Sequence, residues 1–160
     1  MKNAILIATV LSALVVVVGA FPAAFATHSV PFNGSLSGSG TATSQNLNRI
    51  TAKGHLSGLG KIMLVGTTTV TGLSECGGFV GTEQDTITAA NGDQVSIAGN
   101  GVSCPGSDQN VFQDTVHFTI TGGTGRFAEA SGSGTIQTTL FVTSPTSSTF
   151  SATVIGAVTH

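Results

Sequence analysis

Three acidic residues in β-patterned stretches of the sequence are candidates to bind a ligand or exchange protons: Glu83, Asp85 and Asp114. Asp114 shares an alternating face with Phe112 and Val116, so it is a candidate for the interior of a β-structure. Burial there would disfavour the charged carboxylate and raise its pKa, as in many active sites. The alternative, which we favour from the sequence, is an exposed carboxylate at the outer end of the strand.

The orientation of Glu83 and Asp85 depends on the register of a predicted hairpin. Asn91-Gly92 stands between two β-patterned stretches and is typical of a two-residue hairpin turn. Such a turn sets both carboxylates beside Ala98, Asn100 and Val102. A one-residue bulge would instead set them on the expected core face, beside Val95, Ile97 and Gly99. Because a slip of one residue reverses every side chain, both orientations stay open, and solvated carboxylates are the default.

A glycine-rich run, Thr121-Gly-Gly-Thr-Gly125, follows a β-patterned stretch and has a spacing found in phosphate-binding loops. A dinucleotide site also needs a helix whose N-terminal amides meet the pyrophosphate, followed by a parallel strand. The residues after the run permit barely one helical turn before Ser131-Gly-Ser-Gly134, and the rest is β-patterned. We therefore predict a turn between strands, and no cofactor.

The other residue types with catalytic or binding chemistry form no recognisable site. The four histidines lack the spacing of metal ligands, and no serine stands in a Gly-x-Ser-x-Gly motif, so we predict neither a metal site nor a serine hydrolase. The lack of Trp and Tyr argues against a sugar-stacking surface. Asn33-Gly-Ser35 is a glycosylation sequon, usable only if the host glycosylates exported proteins.

Residues 1–26 have the features of a signal peptide. Lys2 provides a positive charge, Ala4–Ala20 is mostly apolar, and Ala24-Phe-Ala26 is the small-x-small pattern that precedes cleavage. The alternative is an uncleaved anchor, which Pro22 disfavours because it interrupts a run that needs about 20 apolar residues to span a bilayer. We predict cleavage after Ala26, no stable membrane span in the mature protein, and a secreted or cell-surface location.

The composition argues against some partners. The formal net charge is −2 and only 8% of the residues are charged, so nothing neutralises the phosphates of nucleic acid or of an anionic membrane. Thr, Val and Ile are frequent, which fits an all-β domain rather than a disordered chain. No linker divides the sequence, and we predict a single domain of residues 27–160.

Alternation of apolar and polar residues predicts eight short strands. They are residues 32–42, 49–56, 61–71, 79–90, 93–103, 111–121, 135–142 and 150–158. Glycines inside them, such as Gly38 and Gly54, weaken pairing unless the sheet coils sharply, as it does in a small closed barrel. Closure also removes the exposed edges that an exported protein must otherwise protect. We predict an eight-stranded antiparallel β-barrel, with a β-sandwich as the alternative.

The two cysteines, Cys76 and Cys104, are predicted to form a disulfide, because the chain is predicted to be exported. The two-residue turn would set Cys104 opposite Phe79, and Cys76 lies three residues before Phe79, across Gly77-Gly78. The two sulfurs are then within bridging reach. The alternative is a reactive or metal-binding pair, but the CxxC spacing and a nearby histidine are missing.

The stretch from Phe118 to Ile136, FTITGGTGRFAEASGSGTI, resembles the signature of the allene oxide cyclase and dirigent β-barrel superfamily. Its elements are a strand, a turn, the aromatic Phe127 and a small-residue stretch that enters the next strand. The turn consists of Gly122, Gly123, Thr124 and Gly125. The resemblance implies an eight-stranded barrel with an apolar lumen, often assembled as a homotrimer. It transfers no catalytic residue, because the polar lumen groups of the family cannot be assigned to positions in this sequence.

From these observations we expect an exported barrel without enzymatic activity, which binds a small apolar molecule or has a structural role at a surface. Four small residues of the first strand would leave room in the lumen: Gly34, Gly38, Gly40 and Ala42. The alternative is an isomerase, cyclase or stereo-directing protein of the resembled kind. Converging polar groups in the lumen would favour the enzyme, whereas a completely filled lumen would exclude both binding and catalysis.

Overall fold

The computed structural model describes residues 29–160, so the cleavage site predicted after Ala26 lies outside the described residues. The described residues form nine strands and one short 3-10 helix, Gly125–Phe127. The strands are β1 Ser29–Pro31, β2 Gly34–Ala42, β3 Leu47–Leu56, β4 Gly60–Leu73, β5 Phe79–Ala89, β6 Gln94–Pro105, β7 Val111–Gly123, β8 Ser131–Ser144 and β9 Ser147–Thr159. None of the helical segments among residues 29–160 could span a bilayer.

The strands form one closed antiparallel barrel. Consecutive strands from β2 to β9 pair with one another, and β9 also pairs with β2, which closes the sheet on itself. The short strand β1 pairs with the end of β9 beyond β2, separated from β2 by Phe32 and Asn33. The predicted eight-stranded barrel is confirmed, and its closure excludes the β-sandwich. The extra strand β1 was not predicted.

One end of the barrel interior, which we call the closed end, is a packed apolar core. The rings of Phe32 and Phe118 meet there with their centroids 6.0 Å apart. Phe127, on the 3-10 helix, is only 1% exposed and covers this end. Other buried members of the core are Leu36, Leu56, Ile62, Leu64, Ile87, Val95, Ile97, Ile120, Ile136, Val154 and Val158.

The glycine-rich turn connects β7 to the 3-10 helix that carries Phe127, which we call the plug. Gly125 has φ +59°, a left-handed conformation that favours glycine, and it begins the 3-10 helix. The guanidinium of Arg126 donates a hydrogen bond of 2.7 Å to the carbonyl of Gly58 and lies 3.4 Å from the carboxylate of Asp93. The run therefore fixes the plug to the neighbouring turns. The helix has only three residues, too few to present the row of free amides that a phosphate site uses.

The opposite end, which we call the mouth, carries the loops 43–46, 74–78, 106–110 and 145–146. A disulfide between Cys76 and Cys104 joins the β4–β5 loop to the end of β6, with a Cα–Cα distance of 5.6 Å. The predicted disulfide is thus confirmed, although Ser103 rather than Cys104 faces Phe79. The disulfide therefore links the β4–β5 loop to β6 at the mouth.

The disulfide leads to a direct labelling prediction. In denaturant without a reducing agent, we expect no mass increase on treatment with iodoacetamide, because both sulfurs are bonded to each other. After reduction, the intact mass should rise by two carbamidomethyl groups, since the sequence contains two cysteines. Labelling of both cysteines without reduction would contradict the assignment.

Candidate functional site

The turn between β5 and β6 has three residues, 90–92, instead of the predicted two. The backbone N–H of Ala89 donates to the carbonyl of Asp93, and that of Gly92 donates to the carbonyl of Ala89, both at 2.9 Å. Gly92 has φ +90°, the conformation that closes a three-residue hairpin loop with a bulge. The prediction of a two-residue turn is therefore wrong.

The extra turn residue shifts the β5–β6 register by one and reverses the expected faces. Glu83 pairs with Gly99 and Asp85 pairs with Ile97, so both carboxyl side chains point into the barrel. Asp85 is only 4% exposed and Glu83 is half-buried. The default interpretation of solvated carboxylates is wrong for both residues.

Asp114 also points into the barrel, from β7. Its cross-strand partners are Ser103 on β6 and Thr138 on β8, both half-buried. The Asp114 side chain is itself half-buried, and its Oδ1 is completely buried without a hydrogen-bond partner among residues 29–160. The favoured interpretation of an exposed strand end is therefore wrong. We call Glu83, Asp85 and Asp114 together the acidic site.

Asp85 is the most deeply buried member of the acidic site. It lies opposite Gly66 on β4, and its carboxylate occupies the space that the β-carbon of any other residue at position 66 would need. Neither carboxylate oxygen receives a hydrogen bond from a donor in the described part of the chain. Only a proton shared with the neighbouring Glu83 carboxyl would link the two side chains. A buried charge without a partner is costly, so Asp85 needs either a proton or an external donor.

The surroundings raise the pKa of all three carboxyls. Burial raises the pKa of Asp85 to about 9, assisted by the charge of Glu83 and by a hydrogen bond that favours the protonated form. Burial raises the pKa of Glu83 as well, although the hydrogen bond with Asp85 opposes the rise and the charge of Asp114 adds to it. Burial also raises the pKa of Asp114, against a hydrogen bond from Ser103. Asp85 is therefore protonated at neutral pH.

A row of apolar side chains lies on the mouth side of the interior. Phe112, Leu140 and Phe150 are successive cross-strand partners on β7, β8 and β9, and all three are half-buried. Phe150 packs against the core, whereas Phe112 and Leu140 are not part of it. The row therefore presents apolar surface toward the mouth, close to the acidic site.

Side chains from neighbouring strands fill the space that was expected in the lumen beside the glycines of β2. The Phe150 ring lies against Gly38 and the Leu56 side chain lies against Gly34, so these glycines leave no free space in the lumen. The expectation of space beside the first strand is therefore wrong at these two positions. The partly exposed interior residues lie instead toward the mouth, where Asp114 and Leu140 are found.

The predicted glycosylation site Asn33 and two of the histidines lie outside the interior. Asn33 is exposed, and its side-chain oxygen accepts a hydrogen bond of 2.9 Å from the backbone N–H of Gly156, which ties the break between β1 and β2 to β9. His55 and His117 are exposed, and Nδ1 of His117 lies 3.2 Å from the hydroxyl of Thr135. Among residues 29–160, no three His, Cys, Asp or Glu are arranged to hold a metal ion.

The acidic site is suited to two kinds of chemistry. A protonated carboxyl beside an ionised one can donate a proton to a bound molecule and accept a proton from it. Ionised carboxylates in an apolar surrounding attract cations and hydrogen-bond donors more strongly than they would in water. Two features of the sequence indicated this site: Glu83 and Asp85 lie on the same face of one strand, and Asp114 shares its face with apolar residues. Whether the side chains of Glu83 and Asp85 point into the barrel depended on a single residue of the turn.

Comparisons of this chain with models of protein families, with curated proteins and with solved structures find no match. The function is therefore inferred from the geometry of the barrel and its acidic site.

Proposed function

We propose that the barrel binds a small molecule that enters through the mouth and meets the acidic site with its polar end. The observation that carries the proposal is Asp85, a buried carboxyl that no donor of the described chain satisfies. The apolar row of Phe112, Leu140 and Phe150 would take the body of the ligand. Pockets with apolar walls and a few polar groups are the usual form of small-molecule sites.

The energetic cost of Asp85 supports a functional role. A packed barrel with a structural role alone would be more stable with an apolar or neutral residue at this position, because an unpaired buried carboxyl gains nothing from its surroundings. Residues that reduce stability in this way cluster at functional sites. The purely structural alternative for this chain is therefore the weaker one.

Export and family membership are further parts of the proposal. The N-terminal pattern from Lys2 to Ala26 and the disulfide Cys76–Cys104 are both typical of an exported protein. The closed eight-stranded barrel and the buried Phe127 agree with the resemblance to the allene oxide cyclase and dirigent superfamily. We infer distant membership of that group, with a homotrimer as the expected assembly.

A second candidate function is acid–base catalysis in the lumen, as in an isomerase, a cyclase or a stereo-directing protein. One observation favours this function: Glu83 and Asp85 lie next to each other on one face of β5, and the pKa of each carboxyl is raised. A carboxyl held protonated at neutral pH can act as a general acid, while its neighbour acts as the base. Binding is required for either function, so it is tested first.

The binding proposal is tested by filling the lumen. We expect the purified, oxidised protein to bind Nile red, a neutral apolar dye, with a blue-shifted emission. Thr138 points inward between Asp114 and Ala152, so Thr138→Trp should block the site and weaken dye binding at least tenfold. The matched control is Thr139→Trp, on the adjacent outward-facing position, which should bind as the unchanged protein does.

Circular dichroism melts of both variants would verify that each one folds. Dye binding that Thr138→Trp does not weaken would contradict a ligand site in the lumen.

A further inference from the structure

The acidic site has no positive partner in the described part of the chain. The charged groups that face it from β5 and β7 are its own three carboxyls, and the inward residues of β4 and β6 beside it, Gly66, Thr68, Ile97 and Gly99, carry no charge. The basic side chains on β3 and β4, Arg49, Lys53 and Lys61, are exposed on the outer face. Arg126 is held at the closed end by Gly58 and Asp93. Among residues 29–160, no basic side chain supplies the acidic site with a positive charge.

The acidic site also lacks hydrogen-bond donors. Ser103 donates a hydrogen bond to the Asp114 carboxyl. Both oxygens of Asp85 and Oδ1 of Asp114 are buried and receive no hydrogen bond from residues 29–160. Buried polar atoms of folded proteins nearly always have partners. When the carboxyls are ionised, these three buried oxygens are all acceptors, and they match a ligand that brings several N–H donors.

We propose that the ligand of the acidic site is an organic ammonium, a primary or secondary amine with an apolar body. The inference rests on the proposed small-molecule function and adds the chemical class of the ligand. An ammonium group brings both the positive charge and the two or three N–H donors that the site lacks. A negatively charged ligand would be repelled by the carboxylates. A metal ion is disfavoured because the three residues are not arranged around one point at coordination distance.

Binding of an ammonium would change the protonation of the site. The empty site holds protons, because burial and mutual repulsion disfavour the ionised carboxyls. A bound ammonium stabilises the ionised forms, so protons should leave the carboxyls on binding. The amine must itself stay protonated, which holds below its own pKa near 10. The affinity for the ammonium ligand should therefore rise from pH 5 to pH 8. A ligand that binds the protonated carboxyls would instead bind more weakly as the pH rises.

The experiment compares three probes of similar shape, 2-phenylethylamine, 2-phenylethanol and 3-phenylpropanoate, by isothermal titration calorimetry at pH 8. We expect the amine to bind at least tenfold more tightly than the alcohol, and the carboxylate to bind most weakly. Titrations in buffers of different ionisation enthalpy should reveal proton release with the amine and none with the alcohol. Asp85→Asn should weaken amine binding at least tenfold and change alcohol binding less than twofold.

Glu129→Gln is the matched control, because it removes an exposed acidic group between the 3-10 helix and β8, far from the mouth. It should leave binding of the amine unchanged. Equal affinities for amine and alcohol would overturn the ammonium inference and leave the small-molecule site intact. An amine affinity that Asp85→Asn does not reduce would also overturn it. Failure of amine and alcohol alike, together with failure of Nile red, would overturn the proposed function itself.

Discussion

Asp85→Asn is expected to make the protein more stable at pH 8, by on the order of 3 kcal/mol in the free energy of unfolding. The substitution keeps the size of the side chain and removes the group that must stay protonated or carry an unpaired buried charge. Removal of a buried polar side chain usually destabilises a fold, so a gain of this size would identify Asp85 as a residue that is kept despite its cost.

The sign of this effect follows from the pKa of Asp85, about 9 in the folded protein against 3.8 as the ordinary value. The folded chain therefore binds a proton more tightly than the unfolded chain does. The folded state has its full stability below pH 4 and loses stability as the pH rises toward 9, by about 1.4 kcal/mol for each pH unit. The expected gain for Asn is smaller than the full difference, because its amide is also buried without a partner.

The measurement is urea denaturation of the unchanged protein and of Asp85→Asn at pH 5 and pH 8. Stability of the unchanged protein should fall between these two pH values, and the variant should show a much flatter dependence. Glu83 and Asp114 contribute in the same direction, since their pKa values are also raised, so the variant keeps part of the slope. Asp108→Asn, in the exposed loop 106–110, is the control and should change stability by less than about 0.5 kcal/mol. Parallel curves for the unchanged protein and Asp85→Asn would show that Asp85 is not a buried acid.

Most of the barrel could be predicted from the sequence, because its strands have one apolar face. The period-2 pattern is a local property, and each of the eight predicted stretches overlaps an observed strand. Strand β1 was not predicted because its three residues are too few to show an alternating pattern. The burial of Phe127 could also be predicted, because an aromatic side chain in a short turn is stable only when its ring packs against the barrel.

The acidic site was less predictable, because it depends on a single residue of a turn. Asn-Gly suits a two-residue turn, but it also suits a three-residue loop whose last residue is glycine with positive φ. The two loops place Glu83 and Asp85 on opposite faces of the sheet, and the strand pattern itself does not distinguish them. The filling of the space beside Gly38 by Phe150 is a contact between strands β2 and β9, far apart in the sequence, and no local pattern signals it.

The position opposite Asp85 provides the sharpest stability prediction. Gly66→Ala is expected to lower the free energy of unfolding by about 3 kcal/mol, because the added methyl group would overlap the Asp85 carboxylate. Ordinary replacement of a strand glycine by alanine is neutral or stabilising when the space is free. Gly72→Ala, on the same strand, is therefore the control: its added methyl group would meet only Val80 at a normal 3.4 Å.

The cause of the loss is tested by a double-mutant cycle with Asp85→Ala, measured by urea denaturation at pH 5. Without the carboxylate, the alanine at position 66 should cost only about 1 kcal/mol, since the carbonyl of Gln84 stays close at 2.9 Å. The coupling free energy between the two positions is then about 2 kcal/mol, within the range for residues in direct contact. A coupling near zero would mean that Asp85 does not lie against Gly66, and that the acidic site is not formed as described. A large coupling would establish the inward orientation of Asp85 on which both the ligand site and its proposed ammonium specificity depend.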